Sequence, residues 1–387
     1  MARRPGWQLA LELWAAVTLI AAAAQVLLKL QTYQWDTGVY WWAGRAFSAG
    51  QSPYGAIPGQ PVYLHYIYPP LTAAFFAPFG HLSIGVVKVL WIVAKALAFW
   101  MTVRLWRRAT GVRATIVPPL FFFTFAFGSA LLVDFTAGNI AVFEQCVLWY
   151  AFAALLARRP WVFVAAVVFI AQFKLTPIFF LGALLVVDER PRWREFLGGS
   201  VLFGLTLLAN FAFYPARVKE FLVGLSSVNE RGWGDPATLG VMQDLVDQIR
   251  GLGVPIPAAT AYALYGAAVA AVFYFSVRWL NRHRSAGTVS RVEVVLVTLV
   301  VYALVMPRMK DYSYVALLPA AWYVLARPVL QEAPMVVLAA LIPRPLPQLD
   351  LRLPLLTQAY VYAPLLGALA VWLELIRATP SRETFQE

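Results

Sequence analysis

Charged residues, cysteine and histidine are all scarce in this chain of 387 residues. Only 13% of the residues are charged and 61% are hydrophobic, whereas soluble globular domains carry about 25% charged residues. This composition excludes an ordinary soluble protein. The single cysteine, Cys146, lies inside an apolar run, which excludes a disulfide framework and a thiolate metal site. His65, His81 and His283 are too scattered to predict a metal cluster.

The net charge of +12 comes from basic residues that sit in short clusters between apolar runs. Such clusters are typical of cytoplasmic loops in membrane proteins, so they predict a lipid environment and no nucleic-acid partner. Two arginines precede the first apolar run, and no small-residue cleavage site follows it. This pattern predicts a retained helix rather than a signal peptide.

Apolar stretches recur along the whole chain. A bilayer-spanning helix needs about 20 mainly apolar residues, and some of these stretches are shorter, so ten to twelve spans are compatible with the sequence. We expect one all-α polytopic domain over residues 1–387, a bundle of about 12 transmembrane helices. The predicted spans are Leu9–Leu30, Leu82–Val103, Thr115–Asp134, Ile140–Ala157, Trp161–Phe173, Thr176–Val187, Phe196–Tyr214, Ala258–Leu280, Val292–Met306, Tyr312–Ala326, Met335–Ile342 and Ala359–Ile376.

The basic clusters fall on one side if these spans alternate, and that side is predicted to be the cytoplasm. Both termini then lie in the cytoplasm, and the loops at 31–80 and 215–257 face outwards from a bacterial-type plasma membrane. The clusters are Arg3/Arg4, Arg104/Arg107/Arg108/Arg113, Arg158/Arg159, Arg190/Arg192/Arg194, Arg278/Arg282/Arg284/Arg291 and Arg377/Arg382.

The first outer loop is the first long departure from apolar sequence. Asp36 is the only acidic residue in its segment 34–70. Asp36, Tyr40, Ala43 and Phe47 are spaced as one face of a helix, which predicts a short amphipathic helix along the outer membrane surface. A second surface helix is predicted near Thr238–Arg250.

Outside the cytoplasm there are no nucleotide sugars, so sugar transfer there needs a lipid-borne donor such as a polyprenyl-phosphate sugar. Its departing phosphate needs positive charge, and the acceptor hydroxyl needs a general base, a task for a carboxylate. One carboxylate near several cations is the minimum set of groups. The candidate cations are Arg45, Lys88, Lys95, Lys174, Arg308 and Lys310.

Several motifs of the chain resemble glycosyltransferase family 87. They are Asp36-x-x-x-Tyr40-x-x-Ala43-Gly44-Arg45, Gly50-x-x-Pro53-Tyr54, Tyr68-Pro69-Pro70, Gly138-Asn139 and Lys174-Leu175-Thr176-Pro177. The resemblance implies a GT-C-type mannosyltransferase that uses polyprenyl-phosphate-mannose, inverts the anomeric centre and does not strictly need a metal or other cofactor. It also implies that Asp36 is the catalytic residue, acting on a lipid-linked or cell-envelope glycan. The late turn at 306–312 reads MPRMKDY and lacks the histidine that some family members have. The resemblance therefore does not determine the identity of the acceptor or of the sugar.

Other residues are candidates for substrate binding, each with a structural alternative. Tyr40 and Tyr66 could stack on a sugar, and His65 could assist Asp36. Arg45 could hold substrate or extend to lipid headgroups. Lys174 could bind the phosphate or pair with Glu144 or Asp134, and Arg308 with Lys310 forms the other phosphate candidate. Asp36 itself could simply cap its helix.

Three alternatives to this interpretation remain at the level of the sequence. One is a structural subunit of an envelope-synthesis complex, in which the first outer loop is only a docking surface. Within the enzyme class, the donor could carry a pentose or another hexose. Outside it, the chain could be a lipid or sugar transporter (a flippase), although no internal repeat of the kind common in transporters is visible.

Overall fold

The computed structural model describes residues 6–55, 57, 64–112, 117–227, 231–232, 234–326 and 360–377. Within these ranges the regular structure is helical, and an isolated bridge between Gly232 and Asp235 is the only β pairing described there. The all-α prediction is therefore confirmed for the described part of the chain.

The described residues form α-helices joined by short turns and three 3₁₀ segments. The α-helices are α1 (Gly6–Leu28), α2 (Trp35–Ser48), α3 (Pro70–Phe76), α4 (Ile84–Thr110), α5 (Pro119–Ala137), α6 (Ala141–Leu156), α7 (Pro160–Ala171), α8 (Ala183–Val186), α9 (Trp193–Phe213), α10 (Pro215–Ser227), α11 (Thr238–Gly251), α12 (Ala259–Ser285), α13 (Arg291–Val305), α14 (Leu318–Leu325) and α15 (Ala363–Arg377). The 3₁₀ segments are Ala77–His81, Thr176–Gly182 and Asp311–Leu317.

Most of the predicted spans overlap these α-helices. Thr176–Val187 and Tyr312–Ala326 instead begin with 3₁₀ segments, and Met335–Ile342 lies outside the described residues. Five helices, α1, α4, α5, α9 and α12, are long and apolar enough to cross a membrane. The others are shorter, so the figure of about twelve spans stays a prediction. Multiple apolar helices of this length are typical of a membrane protein.

Local chemistry explains where several helices begin and end. Pro119 and Pro160 stand at the first helical position, where a missing N–H carries no penalty. Gly111 and Gly138 follow α4 and α5 with positive φ, the usual glycine-based helix ending. Ser290 and Glu293 form a capping box at the start of α13.

The interior of the bundle is made by α5, α6, α7, α13 and α14, whose side chains are largely buried. Helices α1, α9 and α12 instead expose large apolar side chains, such as Leu28 at 85% and Leu208 at 61%. Apolar exposure on this scale is unfavourable in water and suits contact with lipid.

Helix α5 is interrupted at residues 126–129, a feature that the sequence analysis did not predict. Phe127, Gly128 and Ser129 adopt left-handed φ values of 52°, 65° and 63°. The interruption is buried, and Phe127 stacks on Tyr314 with ring centroids 6.1 Å apart. Irregular backbone at membrane depth is tolerated where protein surrounds it.

Two amphipathic segments were predicted in the outer loops, and both are helical. The first is α2, which packs against α3, the 3₁₀ segment Ala77–His81 and α4. The second, α11, starts at Thr238 as predicted and packs against α12. Helix α10, between them in the chain, was not predicted.

Candidate functional site

The helix that carries Asp36 is anchored at its first turn to the end of α5. Gln34 precedes α2 with a φ of 60°, and its backbone N–H donates to the Thr136 carbonyl at 2.8 Å. Its side-chain amide donates to the Phe135 carbonyl. Gln34 is fully buried, and a buried amide needs such partners. These bonds set the direction in which α2 starts, and therefore the position of Asp36.

Gly138 completes this anchor from the α5 side. Its carbonyl accepts hydrogen bonds from Thr37 Oγ1 at 3.1 Å and from Trp91 Nε1 at 2.8 Å. Its φ is +74°, and a Cβ atom built there would overlap Thr37 Oγ1 and lie 2.7 Å from Gln34 Oε1. Both the backbone conformation and the space therefore require glycine.

We expect Gly138→Ala to destabilise the protein by at least about 1–2 kcal/mol, the cost of a left-handed non-glycine residue. The overlap with Thr37 adds to this cost and displaces the first turn of α2. The measurement is the midpoint of thermal unfolding in a single detergent. Gly204→Ala in α9 is the matched control, because a Cβ there meets nothing within 4 Å. Equal midpoints for the two variants would contradict the prediction.

The far end of α2 is held by close backbone contact. A Cβ at Gly44 would overlap the Phe76 carbonyl, and a Cβ at Gly80 would lie 2.6 Å from the Arg45 backbone nitrogen. Helix α2 is therefore held between the end of α5 on one side and, on the other, the end of α3 with the 3₁₀ segment Ala77–His81.

The Asp36 carboxylate receives a hydrogen bond from a residue 103 positions away. Asn139 Nδ2 donates to Asp36 Oδ2 at 2.7 Å, and Asn139 Oδ1 accepts from the Ala141 N–H at 3.1 Å. The second bond fixes the orientation of the amide, because its oxygen faces the start of α6 and its NH₂ group faces Asp36. Asp36 keeps partial exposure, so it is held in place and yet remains reachable.

Tyrosine side chains form one wall beside Asp36. Asn139 Nδ2 also lies 3.2 Å from Tyr40 Oη, which is 3.0 Å from Tyr68 Oη. Phe76 stacks on Tyr40 with centroids 4.9 Å apart. Burial raises the pKa of Tyr40 and Tyr68 above the ordinary tyrosine value, so both phenols stay protonated and can donate hydrogen bonds.

The pKa of Asp36 lies above its ordinary value of 3.8, chiefly because burial disfavours the charged carboxylate. The Asn139 hydrogen bond opposes this shift, and so do the positive charges of Lys310, Lys95 and Lys174. A carboxylate whose proton affinity is raised is a stronger base, while the nearby cations oppose that rise and favour the ionised form.

A fully buried ion pair supports the turn that carries Asn139. Lys95 Nζ lies 2.6 Å from Asp134 Oδ2, and both side chains are 0% exposed. Lys95 also donates to the backbone carbonyls of Asp134 at 2.6 Å and Asn139 at 2.9 Å. Lys95 therefore ties α4 to the junction of α5 and α6, rather than standing open to a ligand.

Lys174 lies in the break after α7, as predicted, and pairs with Glu144 at 3.2 Å. Its ammonium group also lies 5.3 Å from the ring centroid of Tyr312. The side chain keeps 18% exposure. The pairing alternative is thus observed, while a role toward phosphate stays a prediction.

The turn after α13 carries Arg308 and Lys310, both partly buried. Asp235 Oδ1 accepts the Met309 N–H at 2.6 Å, between the two cations in the chain. Tyr314 Oη donates to the Pro236 carbonyl at 2.7 Å. The segment from the second outer loop therefore holds this turn, with Lys310 close enough to Asp36 to influence its pKa.

The remaining predicted residues are less closely associated with Asp36. Arg45 is exposed and stacks on Trp41 at 5.4 Å; nine residues along a helix place it on the face opposite Asp36. Tyr66 is buried and packs against Tyr54 and Tyr68, one ring away from Tyr40. His65 is partly buried, and Lys88 donates to the Tyr33 carbonyl at 2.7 Å.

An apolar groove of about 540 Å³ lies behind the tyrosine wall. It runs between α3, α4, α6 and α7 and shares Phe76 and Trp91 with the surroundings of Tyr40. Ile140, next to Asn139 in the chain, lines its other side. The groove is lined by Phe75, Phe76, Phe79, Leu90, Trp91, Val93, Ala94, Leu97, Ile140, Phe143, Val147, Phe169, Ile170 and Phe173.

Asn139, Tyr68 and Asp235 were not among the predicted site residues. A usable signal existed for Asn139, since it follows a glycine that ends one apolar run and precedes the next. Tyr68 also had a signal, since it begins the Tyr68-Pro69-Pro70 motif, whereas Asp235 becomes visible only in the folded chain. Among the described residues, no group of three or more His, Cys, Asp or Glu side chains could hold a metal ion.

Comparison with known proteins adds one match. The model of glycosyltransferase family 87 matches residues 66–307, more than half of the chain. The matched range includes Tyr68, Asn139 and Lys174, begins after Asp36 and ends just before Arg308. No curated protein and no solved structure matches the chain.

Proposed function

The chain belongs to glycosyltransferase family 87, and we propose that this membrane glycosyltransferase takes its sugar from a polyprenyl phosphate and uses Asp36 as the general base. The acceptor is a hydroxyl group of a lipid-linked or cell-envelope glycan on the extracytoplasmic side. The observation that carries the proposal is the anchored Asp36 carboxylate. It accepts a hydrogen bond from Asn139, and the charges of Lys310, Lys95 and Lys174 act on it.

The proposed reaction is a single displacement with inversion. The acceptor oxygen forms a bond to the anomeric carbon while the bond from that carbon to the phosphate oxygen breaks. Asp36 takes the hydroxyl proton as the oxygen attacks and later releases it to water. The products are the new glycoside and the polyprenyl phosphate, which leaves with one additional negative charge.

A base in this reaction must be positioned and must be ionised. Asn139 positions Asp36 from the α5–α6 junction, and Gln34 and Gly138 prevent α2 from shifting. The raised pKa of Asp36 makes it a better proton acceptor than an ordinary aspartate. Partial exposure leaves room for an acceptor hydroxyl.

The departing phosphate needs positive charge where its own charge develops. Lys310 and Arg308 are our candidates, because they are partly exposed on an anchored turn and Lys310 acts on Asp36. The positive charge of Lys174 also acts on Asp36, but Lys174 is paired with Glu144. Lys95 is fully enclosed, so we assign it a positioning role.

The groove behind Tyr40 supports a lipid-borne donor. It is apolar and lies between four helices. Trp91 and Ile140 line it on the side of the site. A prenyl chain would pass from the bilayer into this groove without crossing water, so packing contacts rather than the removal of apolar surface from water would hold it there. The donor phosphate would then lie on the side of the groove that Trp91 and Ile140 line, next to Tyr40 and Asn139.

The test is incubation of the purified protein with polyprenyl-phosphate-mannose and a panel of glycolipid acceptors, followed by mass spectrometry of the products. We expect an acceptor product heavier by one hexose, together with free polyprenyl phosphate. Parallel reactions with other hexose or pentose donors identify the sugar. Uptake of a lipid-linked sugar into sealed vesicles without any glycosylated product would overturn the proposal in favour of a transporter.

The pH dependence of transfer tests the link between Lys310 and Asp36. Lys310 lowers the pKa of Asp36, so Lys310→Gln raises that pKa further. Because the base works only as the carboxylate, the acidic decline in kcat/KM should begin at a higher pH in Lys310→Gln than in the wild type. The measurement is a pH profile of kcat/KM at constant ionic strength.

The control for this prediction is Lys219→Gln. Lys219 lies on α10, on the same side of the bundle, and is exposed. Its removal should leave the acidic limb unchanged. If Lys310→Gln moved the limb no more than the control does, Lys310 would not act on the base.

A further inference from the structure

A second, polar cavity lies at the other end of the bundle and plays no part in the proposed reaction. Its volume is about 1100 Å³, and it lies between the start of α7, the residues 187–195 and the α12–α13 turn. Helix α9 connects the two ends. Its first residues line the cavity, while Arg217, in the first turn of the next helix, α10, donates to the Gly50 carbonyl in the first loop at 2.8 Å. A 21-residue helix is about 30 Å long, so this cavity is remote from Asp36.

Arginine dominates the lining of this cavity, which we call the arginine basin. Three carboxylates, those of Asp188, Glu189 and Glu195, face six guanidinium groups, so the basin carries a positive excess. The six arginines are Arg158, Arg190, Arg192, Arg194, Arg284 and Arg291.

Three of these arginines are occupied in holding the basin together. Arg291 lies 2.9 Å from Asp188 Oδ1, and Arg192 pairs with the other oxygen of the same carboxylate. Arg284 donates to the Asp188 backbone carbonyl at 2.7 Å. Arg291 also donates to the carbonyls of Leu155 and Leu156 at the end of α6. Asp188 is therefore already satisfied and does not neutralise the others.

The other three arginines are available to a ligand. Arg158, Arg190 and Arg194 are exposed, and the described part of the chain gives their side chains no hydrogen bond or ion pair. The first turn of α9 adds backbone N–H groups, whose positive potential Glu195 in the same turn partly offsets. Guanidinium groups and a helix N-terminus both bind anionic oxygens such as those of a phosphate.

An apolar cleft opens directly beside the basin. It has a volume of about 180 Å³, lies between α8, α12 and α13, and is lined by residues that include Gly182, Val186, Phe273, Val277 and Val297. Val294 lines both the cleft and the basin. An amphiphile with an anionic head and a hydrocarbon tail matches this arrangement, whereas a fully polar anion would leave the cleft unused.

We propose that the arginine basin binds the phosphate of an anionic membrane phospholipid, with one acyl chain in the cleft between α12 and α13. Basic pockets between membrane helices bind lipid headgroups in this way. Alternatively, the arginines could only mark the cytoplasmic side of the bundle. The basin differs from such a marker because its cations surround a cavity, and this cavity shares Val294 with the apolar cleft.

The experiment uses native mass spectrometry of the full-length protein in detergent, titrated with phosphatidylglycerol or with phosphatidylcholine of the same chains. We expect the wild type to retain phosphatidylglycerol and not phosphatidylcholine. Arg190→Gln/Arg194→Gln should weaken phosphatidylglycerol binding about tenfold or more, since it removes two charge-assisted contacts. Arg107→Gln/Arg108→Gln is the matched control, because it removes two exposed cations at the end of α4, outside the basin.

The variant Gly182→Leu tests the binding of the acyl chain separately from the binding of the phosphate. A Cβ at Gly182 meets nothing within 4 Å, so the leucine should enter the cleft without a clash. We expect it to weaken phosphatidylglycerol binding and to leave the binding of inorganic phosphate unchanged. The proposal would be overturned if the wild type retained both lipids equally. It would also be overturned if the two double arginine variants lost the same amount of phosphatidylglycerol binding. Inorganic phosphate that binds as tightly as the lipid would overturn the acyl-chain assignment.

Discussion

Asp36→Asn should reduce sugar transfer by about 100- to 10,000-fold, the usual contribution of a positioned general base. Asparagine has nearly the same shape and still accepts a hydrogen bond from Asn139 through its oxygen, but it cannot take the acceptor proton. The expected loss is therefore in kcat, with little change in the binding of the lipid donor. Both are measured on purified protein, by single-turnover transfer and by donor titration.

Asp247→Asn is the control for this experiment. Asp247 is a half-exposed aspartate on α11 that pairs with Arg231 at 2.8 Å, so its loss should leave transfer unchanged. The unfolding midpoint of each variant shows whether the fold is retained. A folded Asp36→Asn protein with wild-type kcat would refute the role of Asp36 as the base.

Lys95→Met should destabilise the protein by about 3–5 kcal/mol, the usual cost of removing one partner from a buried ion pair. Asp134 would be left as an uncompensated charge at 0% exposure. The same change frees the Asn139 carbonyl that Lys95 holds at 2.9 Å, so the turn that presents Asn139 to Asp36 should also loosen. The midpoint of unfolding and the rate of transfer should therefore fall together.

The double variant Lys95→Met/Asp134→Leu separates charge burial from simple loss of packing. Replacing both members of a buried pair by apolar residues is often nearly neutral, so the double variant should be more stable than Lys95→Met alone. Arg231→Met serves as the comparison, because it breaks an exposed pair whose partners keep 35% and 54% exposure and should cost about 1 kcal/mol or less. A double variant less stable than Lys95→Met would contradict a charge-burial mechanism.

Local sequence was enough to place the long apolar helices, although not α10 or the interruption in α5. The predicted and observed starts of α9 and α12 differ by three residues or fewer, because apolar run length and the prolines and glycines at run ends act within a few residues. The helix at Trp35–Ser48 followed from the spacing of Asp36, Tyr40 and Ala43 alone. The same periodicity places Arg45 on the opposite face, and it argues against the association with Asp36 that the motif had suggested.

The choice of Asp36 also came from the sequence, as the lone acid in a long outer loop and part of a recognisable motif. Its hydrogen-bond partner did not, because Asn139 reaches it across 103 positions. The pairing of Lys95 with Asp134 across 39 positions was not predicted either, whereas the pairing of Lys174 with Glu144 was one of the alternatives that the sequence offered. Several cations were equal candidates for phosphate in the sequence, and only packing separates enclosed Lys95 from partly exposed Lys310.

The positions of the long apolar helices and the membrane class depend on the residues next to each position, so they can be predicted from the chain without its fold. The pairing of charges depends on which helices lie side by side and on how much water each side chain retains. That is a property of the assembled bundle, and it decided that Lys95 is enclosed with Asp134 while Asp36 keeps partial exposure.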